Sequence, residues 1–252
     1  MAQIRVLING AKGRMGQEVT CAVQTAKDLQ LVAACDLGDD LRKELRRSRA
    51  EVAVDFTHPD SAVFNARTIL EASVRPVIGT TGFQEGDVRA LQKLADRMRV
   101  GGLIAPNFSL GMILLNRFAA ETVKHFSNVE IVELHHDQKA DAPSGTAEQT
   151  AALLGKAAVG RLNHPRVKEQ EKIPGVRGGK VGEVPIHSVR LPGLLAHQEI
   201  LFGGAGQVLT LRHDATSREA YMPGVLLAIR KARSLKTLVY GLENLLFVDA
   251  GR

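Results

Sequence analysis

The opening residues of the chain constrain its fold more than any other stretch. Ile4-Arg5-Val6-Leu7-Ile8 is an apolar run, and Asn9-Gly10-Ala11-Lys12-Gly13-Arg14-Met15-Gly16 is a glycine-rich turn. Met15, Val19, Ala22, Val23 and Ala26 then recur on one face of a helix. Strand, glycine turn and helix in that order open a dinucleotide-binding fold, whose turn cradles a pyrophosphate. Gly10 permits the tight turn, Gly13 lets the backbone approach the phosphates, and Gly16 lets helix and strand lie close. The spacing G-x-x-G-x-x-G is one residue longer than the standard fingerprint, so the turn alone is only moderately specific. The next strand, Leu31-Val32-Ala33-Ala34-Cys35, ends at Asp36, where an acidic partner for the adenosine ribose belongs.

Two further βα units repeat the pattern. Glu51–Phe56 is a strand running into Thr57-His58-Pro59, followed by a helix over 61–72. Pro76-Val77-Ile78 runs into Gly79-Thr80-Thr81-Gly82, followed by a helix over 85–97. Repeated βα units imply a parallel sheet with ligands beyond the carboxyl ends of its strands. Gly10, Asp36, Thr57 and Gly79-Thr80-Thr81 all fall at those ends, which points to a nucleotide cleft.

A second constellation lies at Glu133-Leu134-His135-His136-Asp137-Gln138-Lys139-Ala140-Asp141-Ala142-Pro143-Ser144-Gly145-Thr146. Val129–Leu134 alternates like a strand, so His135 and His136 point to opposite faces unless the strand has already ended. Thr146–Gly155 reads as a helix with Ser144 as its N-cap, and Gly145 leaves the first turn open to close approach. A helix start suits a carboxylate or phosphate, and Lys139 adds a full charge nearby. The local chemistry is that of an anionic small molecule with histidine at hand for proton transfer. A capped surface loop with solvated histidines is the bland alternative.

With these motifs assembled, the chain resembles the dihydrodipicolinate reductase (4-hydroxy-tetrahydrodipicolinate reductase) family. The likeness runs in order through Gly-Ala-Lys-Gly-Arg-Met-Gly at 10–16, Asp-Phe-Thr-His-Pro at 55–59 and Gly-Thr-Thr-Gly at 79–82. It continues through Ala-Pro-Asn-Phe-Ser at 105–109 and the string from Glu133 to Ala147. The resemblance implies a Rossmann-like α/β domain with a second α+β domain, reduction of a cyclic dicarboxylate by NADH or NADPH, and a homotetramer. It places an acid/base histidine at His135 and a proton-donating lysine at Lys139. Substrate contacts fall at His136, Ser144, Gly145 and Thr146. The cofactor falls along Gly10, Ala11, Lys12, Gly13, Arg14, Met15, Gly16 and Asp36. Its nicotinamide end lies near Gly79, Thr80, Thr81, Ala105, Pro106, Asn107 and Phe108. Whether His135 or Lys139 delivers the proton stays open.

Asp36 favours the free ribose of NADH over a 2′-phosphate, and Leu37 stands where some relatives carry arginine. Lys12 and Arg14 pull the other way. NADH with tolerance of NADPH is the expectation. Expected domains are 1–106 for the dinucleotide, 107–215 for substrate and assembly, and 216–252 as helices returning to the first domain. The second domain reads as a mixed open sheet, with strand patterns at 129–134, 184–191, 197–203 and 207–213. Residues 161–180 read as a loop, either a plain linker or a substrate-closing element. Pro223 either kinks its helix or shifts the helix start.

Composition narrows the remaining classes. A net charge of +6 raises nucleic acid as a partner, but aromatic content is 4%, tryptophan is absent and no nucleic-acid motif occurs. The excess suits steering of anionic cofactor and substrate instead, and Leu41–Arg49 reads as a solvated, charged helix face. An apolar strand so close to the N-terminus leaves no room for a signal peptide, and no long apolar span suggests a membrane; the expectation is cytoplasmic. Cys21 and Cys35 read as a core-facing helix position and a buried strand position in a reducing compartment. No metal is expected, since His135 and His136 have no convergent further ligands. His125, His164, His197 and His213 read as structural or surface residues, while the facing of His187 and Arg190 depends on strand parity. Another two-domain dehydrogenase, or a dinucleotide sensor without catalysis, are the competing functions.

Overall fold

The computed structural model describes residues 2–160, 162–163, 167–168 and 170–247. Its elements in chain order begin β1 (Ile4–Asn9), α1 (Arg14–Thr25), β2 (Leu29–Cys35), α2 (Leu41–Ser48), β3 (Val52–Asp55) and α3 (Pro59–Glu71). They continue β4 (Arg75–Ile78), α4 (Glu85–Met98), β5 (Gly102–Ile104), α5 (Leu110–Thr122), β6 (Asn128–His135) and α6 (Gly145–Ala157). The chain ends with β7 (Gly179–Val181), β8 (Val184–Arg190), β9 (Ala196–Gly204), β10 (Gln207–Ala215), α7 (Met222–Ala232), β11 (Leu238–Tyr240) and α8 (Glu243–Leu246). It divides into two compact units, Met1–Leu110 with Arg218–Arg252, and Gly111–Ser217.

The first unit is a parallel sheet in the order β11-β5-β4-β3-β1-β2. Its central strands β3 and β4 are buried at almost every position, because helices cover both faces and alternation disappears. Leu7, Ala53, Ile78 and Ile104 share a core with Ile69 and Leu70 of α3 and Leu91 of α4. Val6, Ile8, Val52 and Val54 are fully buried on the opposite face. Val19 and Val23 carry α1 into the protein, whereas Cys21 is exposed, contrary to its expected core-facing position. Two residues from each valine, Cys21 is turned about 200° from both on a helix. Cys35 is buried in β2 as read.

The unit boundary follows packing rather than motif. Phe108 stacks obliquely on Phe56 with ring centroids 5.7 Å apart, and a Cβ on Gly224 of α7 would lie 2.0 Å from the Phe108 carbonyl oxygen. The segment through Leu110 therefore belongs with the sheet, beyond the expected limit at 106. Pro223 sits in the first turn of α7 after a 3-10 turn at Arg218–Tyr221, so it sets the helix start without kinking it.

The second unit is a mixed sheet in the order β10-β9-β6-β8-β7, with β6 and β8 parallel and the other pairs antiparallel. Val129, Ile131, Ile186, Ile200 and Phe202 form its core with Met112, Leu115 and Ala119 of α5 and Ala147, Ala151 and Leu154 of α6. Part of the expected 161–180 loop is strand, since β7 pairs with β8. Arg161 and His164 lie outside the described residues. Among the described residues, no helix is long and apolar enough to cross a membrane.

Candidate active site

The glycine loop is held from three sides. Gly10 has φ +83°, and a Cβ there would meet the Phe56 carbonyl oxygen at 2.3 Å; one on Gly16 would meet the Gly10 carbonyl oxygen at 1.9 Å. Only glycine fits either place. Gly10 and Ala11 donate their N–H groups to the Cys35 carbonyl at 2.9 Å, and Lys12 N–H donates to the Asp36 carboxylate at 2.6 Å. Helix α1 then opens with Gly13 as a bare N-cap and no acidic residue in its first turn. Its leading N–H groups and positive dipole end are left for an anion.

Two cavities flank this loop and share Gly13, Phe56 and Thr57. The larger, about 620 Å³, is lined by Gly10, Asp36, Leu37, Asp39, Asp40 and Arg42 among others. The smaller, about 340 Å³, is lined by Arg14, Met15, Gly79, Thr80, Thr81 and Arg218. Ala11 and Lys12 line a separate pocket behind Asp36, and Gly16 lies under the loop as packing. Ala105, Pro106, Asn107 and Phe108 line none of these three; Ala105 and Phe108 are buried. Hydrogen bonds from the Lys12 and Leu37 backbone lower the Asp36 pKa, keeping an ionised acceptor at the cavity wall. These features fit a dinucleotide: a glycine cradle, an open helix start, and an acid at the end of the second strand.

Sequence reasoning missed Asp55, which is fully buried at the end of β3. It accepts from Asn9 at 2.7 Å, Asn65 at 3.0 Å, Thr57 Oγ1 at 2.9 Å and Thr80 Oγ1 at 2.6 Å. That carboxylate joins the ends of β1, β3 and β4 to α3, so Thr80 serves the cleft by bracing it. Thr57 lies only two residues away, but Asn9, Asn65 and Thr80 are scattered along the chain and give no local signal of the cluster. Arg218 was also missed, being a lone cation in an unremarked turn.

In the second unit β6 ends at His135, so His135 and His136 are not successive residues of one strand. His135 Nδ1 hydrogen-bonds Glu133, two residues back on the same face. Register pairs His135 with Arg190 and Val132 with His187, which settles the parity. Arg190 reaches Glu133 through Nη1 at 3.0 Å and Nη2 at 2.8 Å, while His187 turns away to Glu130 at 2.7 Å. Burial would raise the Glu133 pKa, but bonds from His135 and Arg190 outweigh it and hold the group at about 2.

Lys139 Nζ lies 2.7 and 2.8 Å from the two oxygens of Asp141, and that ion pair lowers the Asp141 pKa. Ser144 caps α6 by accepting from Ala147 N–H at 3.2 Å, as the sequence indicates. Gly145 is exposed, and a Cβ there would meet nothing within 4 Å. His136 Nδ1 is buried with no partner among the described residues, an unusual state for a polar atom outside a functional site. His135, Lys139 and the α6 start thus converge on one strand end and its loop. Of the other histidines, His125 is exposed, His197 pairs with Asp214 at 2.6 Å, and His213 lies against Gly111. Among the described residues no three His, Cys, Asp or Glu side chains are grouped to hold a metal.

Comparison with known proteins adds an independent line. The family model described as dihydrodipicolinate reductase, N-terminus, matches residues 4–108, and that of its C-terminus matches 111–246. A 4-hydroxy-tetrahydrodipicolinate reductase of Desulfitobacterium hafniense is 49% identical, covering 98% of this chain and 100% of that protein. One of Nostoc punctiforme is 50% identical over 97% of this chain and 99% of its own length. Among solved structures, a dipicolinate-bound dihydrodipicolinate reductase from Paenisporosarcina sp. TG-14 is 39% identical, with a TM-score of 0.86 over 96% of this chain and 99% of that one. An amine dehydrogenase from Mycobacterium smegmatis, 14% identical with a TM-score of 0.67 and covering 96% of each chain, shares the fold alone.

Proposed function

The chain belongs to the dihydrodipicolinate reductase family, and from that premise we propose how its residues carry the reaction. The reaction is the NAD(P)H-dependent reduction of 4-hydroxy-tetrahydrodipicolinate to tetrahydrodipicolinate with loss of water, in lysine and diaminopimelate biosynthesis. The observation that carries the residue assignment is the junction of β6 and α6, where His135, Lys139 and an open helix start stand together.

The residues of the first unit fit the cofactor. Gly10 to Gly16 and the α1 start would hold its pyrophosphate, Asp36 its adenosine ribose, and Gly79–Thr81 with Arg14 and Arg218 its nicotinamide end. Bound there, the reduced nicotinamide supplies the hydride. Asp36, Asp39 and Asp40 outnumber the one arginine, Arg42, in the wall of the adenosine cavity and Leu37 brings no further cation, so NADH is favoured over NADPH through repulsion of a 2′-phosphate.

In the second unit one substrate carboxylate meets the N–H groups and hydroxyl at Gly145 and Thr146, with His136 beside it. Lys139 exchanges Asp141 for the substrate, taking a second anionic contact. The proton that balances the hydride is delivered by His135 or by Lys139. Assembly into a homotetramer through the sheet face opposite α5 and α6 is the accompanying proposal, and exposed Val208 on β10 agrees with a covered surface there.

The test is a coupled assay in which dihydrodipicolinate synthase makes the unstable substrate from pyruvate and aspartate semialdehyde while nicotinamide absorbance is followed. Oxidation that disappears in His135→Ala and Lys139→Ala supports the assignment. Turnover surviving both replacements overturns it.

A further inference from the structure

We propose that Glu133 is the positioning residue of this site: one buried carboxylate both orients His135 and anchors the start of α6. The inference rests on the reductase reading, because only that reading makes His135 an acid/base group and the helix start a carboxylate site. Glu133 is fully buried, and among the described residues it is the only buried acid of the second unit. Its Oε2 meets His135 Nδ1 and Arg190 Nη1; its Oε1 accepts from Arg190 Nη2 and, at 3.3 Å, from Ser144 N–H. Arg190 Nη2 also donates to the Asp141 carbonyl at 2.6 Å, so the backbone beside the partner of Lys139 hangs on the same frame.

Chemistry follows from that geometry. An ionised carboxylate only accepts, so the hydrogen on His135 must sit on Nδ1 whether the ring is neutral or cationic. Nε2 is then the atom free to exchange a proton with substrate, and the ring cannot turn without losing its buried partner. Ser144 is the N-cap of α6, so its bond to Oε1 fixes the helix start to the same carboxylate that fixes the imidazole. Proton transfer and carboxylate binding share one rigid reference, and a shift in either would be felt by both. The sequence holds this group two residues upstream of His135, where strand alternation alone gives Glu133 and His135 a common face.

The first measurement is nitrogen-15 NMR of the full-length protein, with the His135 imidazole assigned. The expected spectrum places the hydrogen on Nδ1 in the neutral ring; a spectrum placing it on Nε2 overturns the proposal. The second uses Glu133→Gln, whose amide oxygen goes to Arg190 and whose amide nitrogen then faces His135 Nδ1. The hydrogen is expected to move to Nε2, and kcat to fall about 100-fold or more with KM changed far less. Binding of NADH alone, read by nicotinamide fluorescence, should not change. Glu133→Asp should keep the Nδ1 signature and recover part of kcat. A Gln variant with unchanged signature or near-normal turnover overturns the proposal; if it does not fold, the unsubstituted protein's spectrum decides. Absence of reductase activity in the unsubstituted protein would count against the reading of the site, while the NMR result would still judge Glu133.

Discussion

Arg190 grips Glu133 with both terminal nitrogens, Nη1 at 3.0 Å from Oε2 and Nη2 at 2.8 Å from Oε1. The Glu133 side chain is wholly buried and that of Arg190 only 19% exposed, so this pair is sheltered from solvent screening. Removing one partner of such a pair strands a buried charge. Arg190→Met is therefore expected to cost about 3–5 kcal/mol of stability at neutral pH. The pH dependence has a definite sign. Glu133 titrates at about 2 in the folded protein against 4.5 ordinarily, so its contribution is complete above 4.5 and disappears as pH falls toward 2. Urea midpoints measured at neutral pH and near the bottom of that window should converge for the two proteins. A gap that stays constant across the window would refute the account.

Two glycines separate what the fold needs from what a ligand needs. A Cβ on Gly16 collides with the Gly10 carbonyl oxygen at 1.9 Å, so Gly16→Ala must open the α1–loop packing. NADH affinity and melting temperature should both drop. A Cβ on Gly145 meets nothing within 4 Å, so Gly145→Ala should melt normally. It should instead raise the substrate KM about tenfold, since one badly placed methyl at an anion contact costs on the order of 1–2 kcal/mol. Calorimetry beside steady-state kinetics distinguishes the two.

The boundary between legible and illegible sequence follows the range of the forces involved. Central strands of the first unit are apolar runs and the cap at Ser144 is a local motif, so both can be read along the chain. β5, β7 and β11 are three residues each, too short to show any period. Cys21 lies between the two valines that define the buried face of α1, so the helix period turns it outward against the core-facing expectation. Within the site, His135, Lys139 and the helix start were visible because they are neighbours in sequence. Glu133 and Asp55 were not, because their meaning depends on Arg190, 57 positions away, and on Asn9, 46 away.

Cofactor choice is open to a single substitution. Leu37 is fully exposed at the rim of the cavity proposed for adenosine, immediately after Asp36, the proposed ribose partner. It packs on nothing, so Leu37→Arg is expected to leave stability within about 0.5 kcal/mol. A guanidinium there would meet a 2′-phosphate and partly cancel Asp36, Asp39 and Asp40. The ratio of NADPH to NADH turnover over KM should rise at least about tenfold, as one charge-assisted contact of about 1.5–3 kcal/mol allows. An unchanged ratio would mean that the adenosine end does not lie in this cavity.

Lys139 is held by Asp141 through both carboxylate oxygens at 2.7 and 2.8 Å, an arrangement a substrate carboxylate must break. Asp141 is 60% exposed, so the pair contributes little to stability, and Asp141→Asn should unfold within about 0.5 kcal/mol of the original. Its effect belongs to binding. With the internal competitor neutralised, Lys139 is free for the incoming dianion, and KM for the substrate should fall several-fold. Lys139→Ala acts in the opposite sense, losing both the cation and an exchangeable proton, so kcat should fall by about 100-fold or more. The double variant is the decisive member of the set. If Asp141 acts only by occupying Lys139, adding Asp141→Asn to Lys139→Ala should change KM no further, since nothing remains to be released. A persistent drop in KM in the double variant would show that Asp141 repels the substrate directly, and the competition argument would fail.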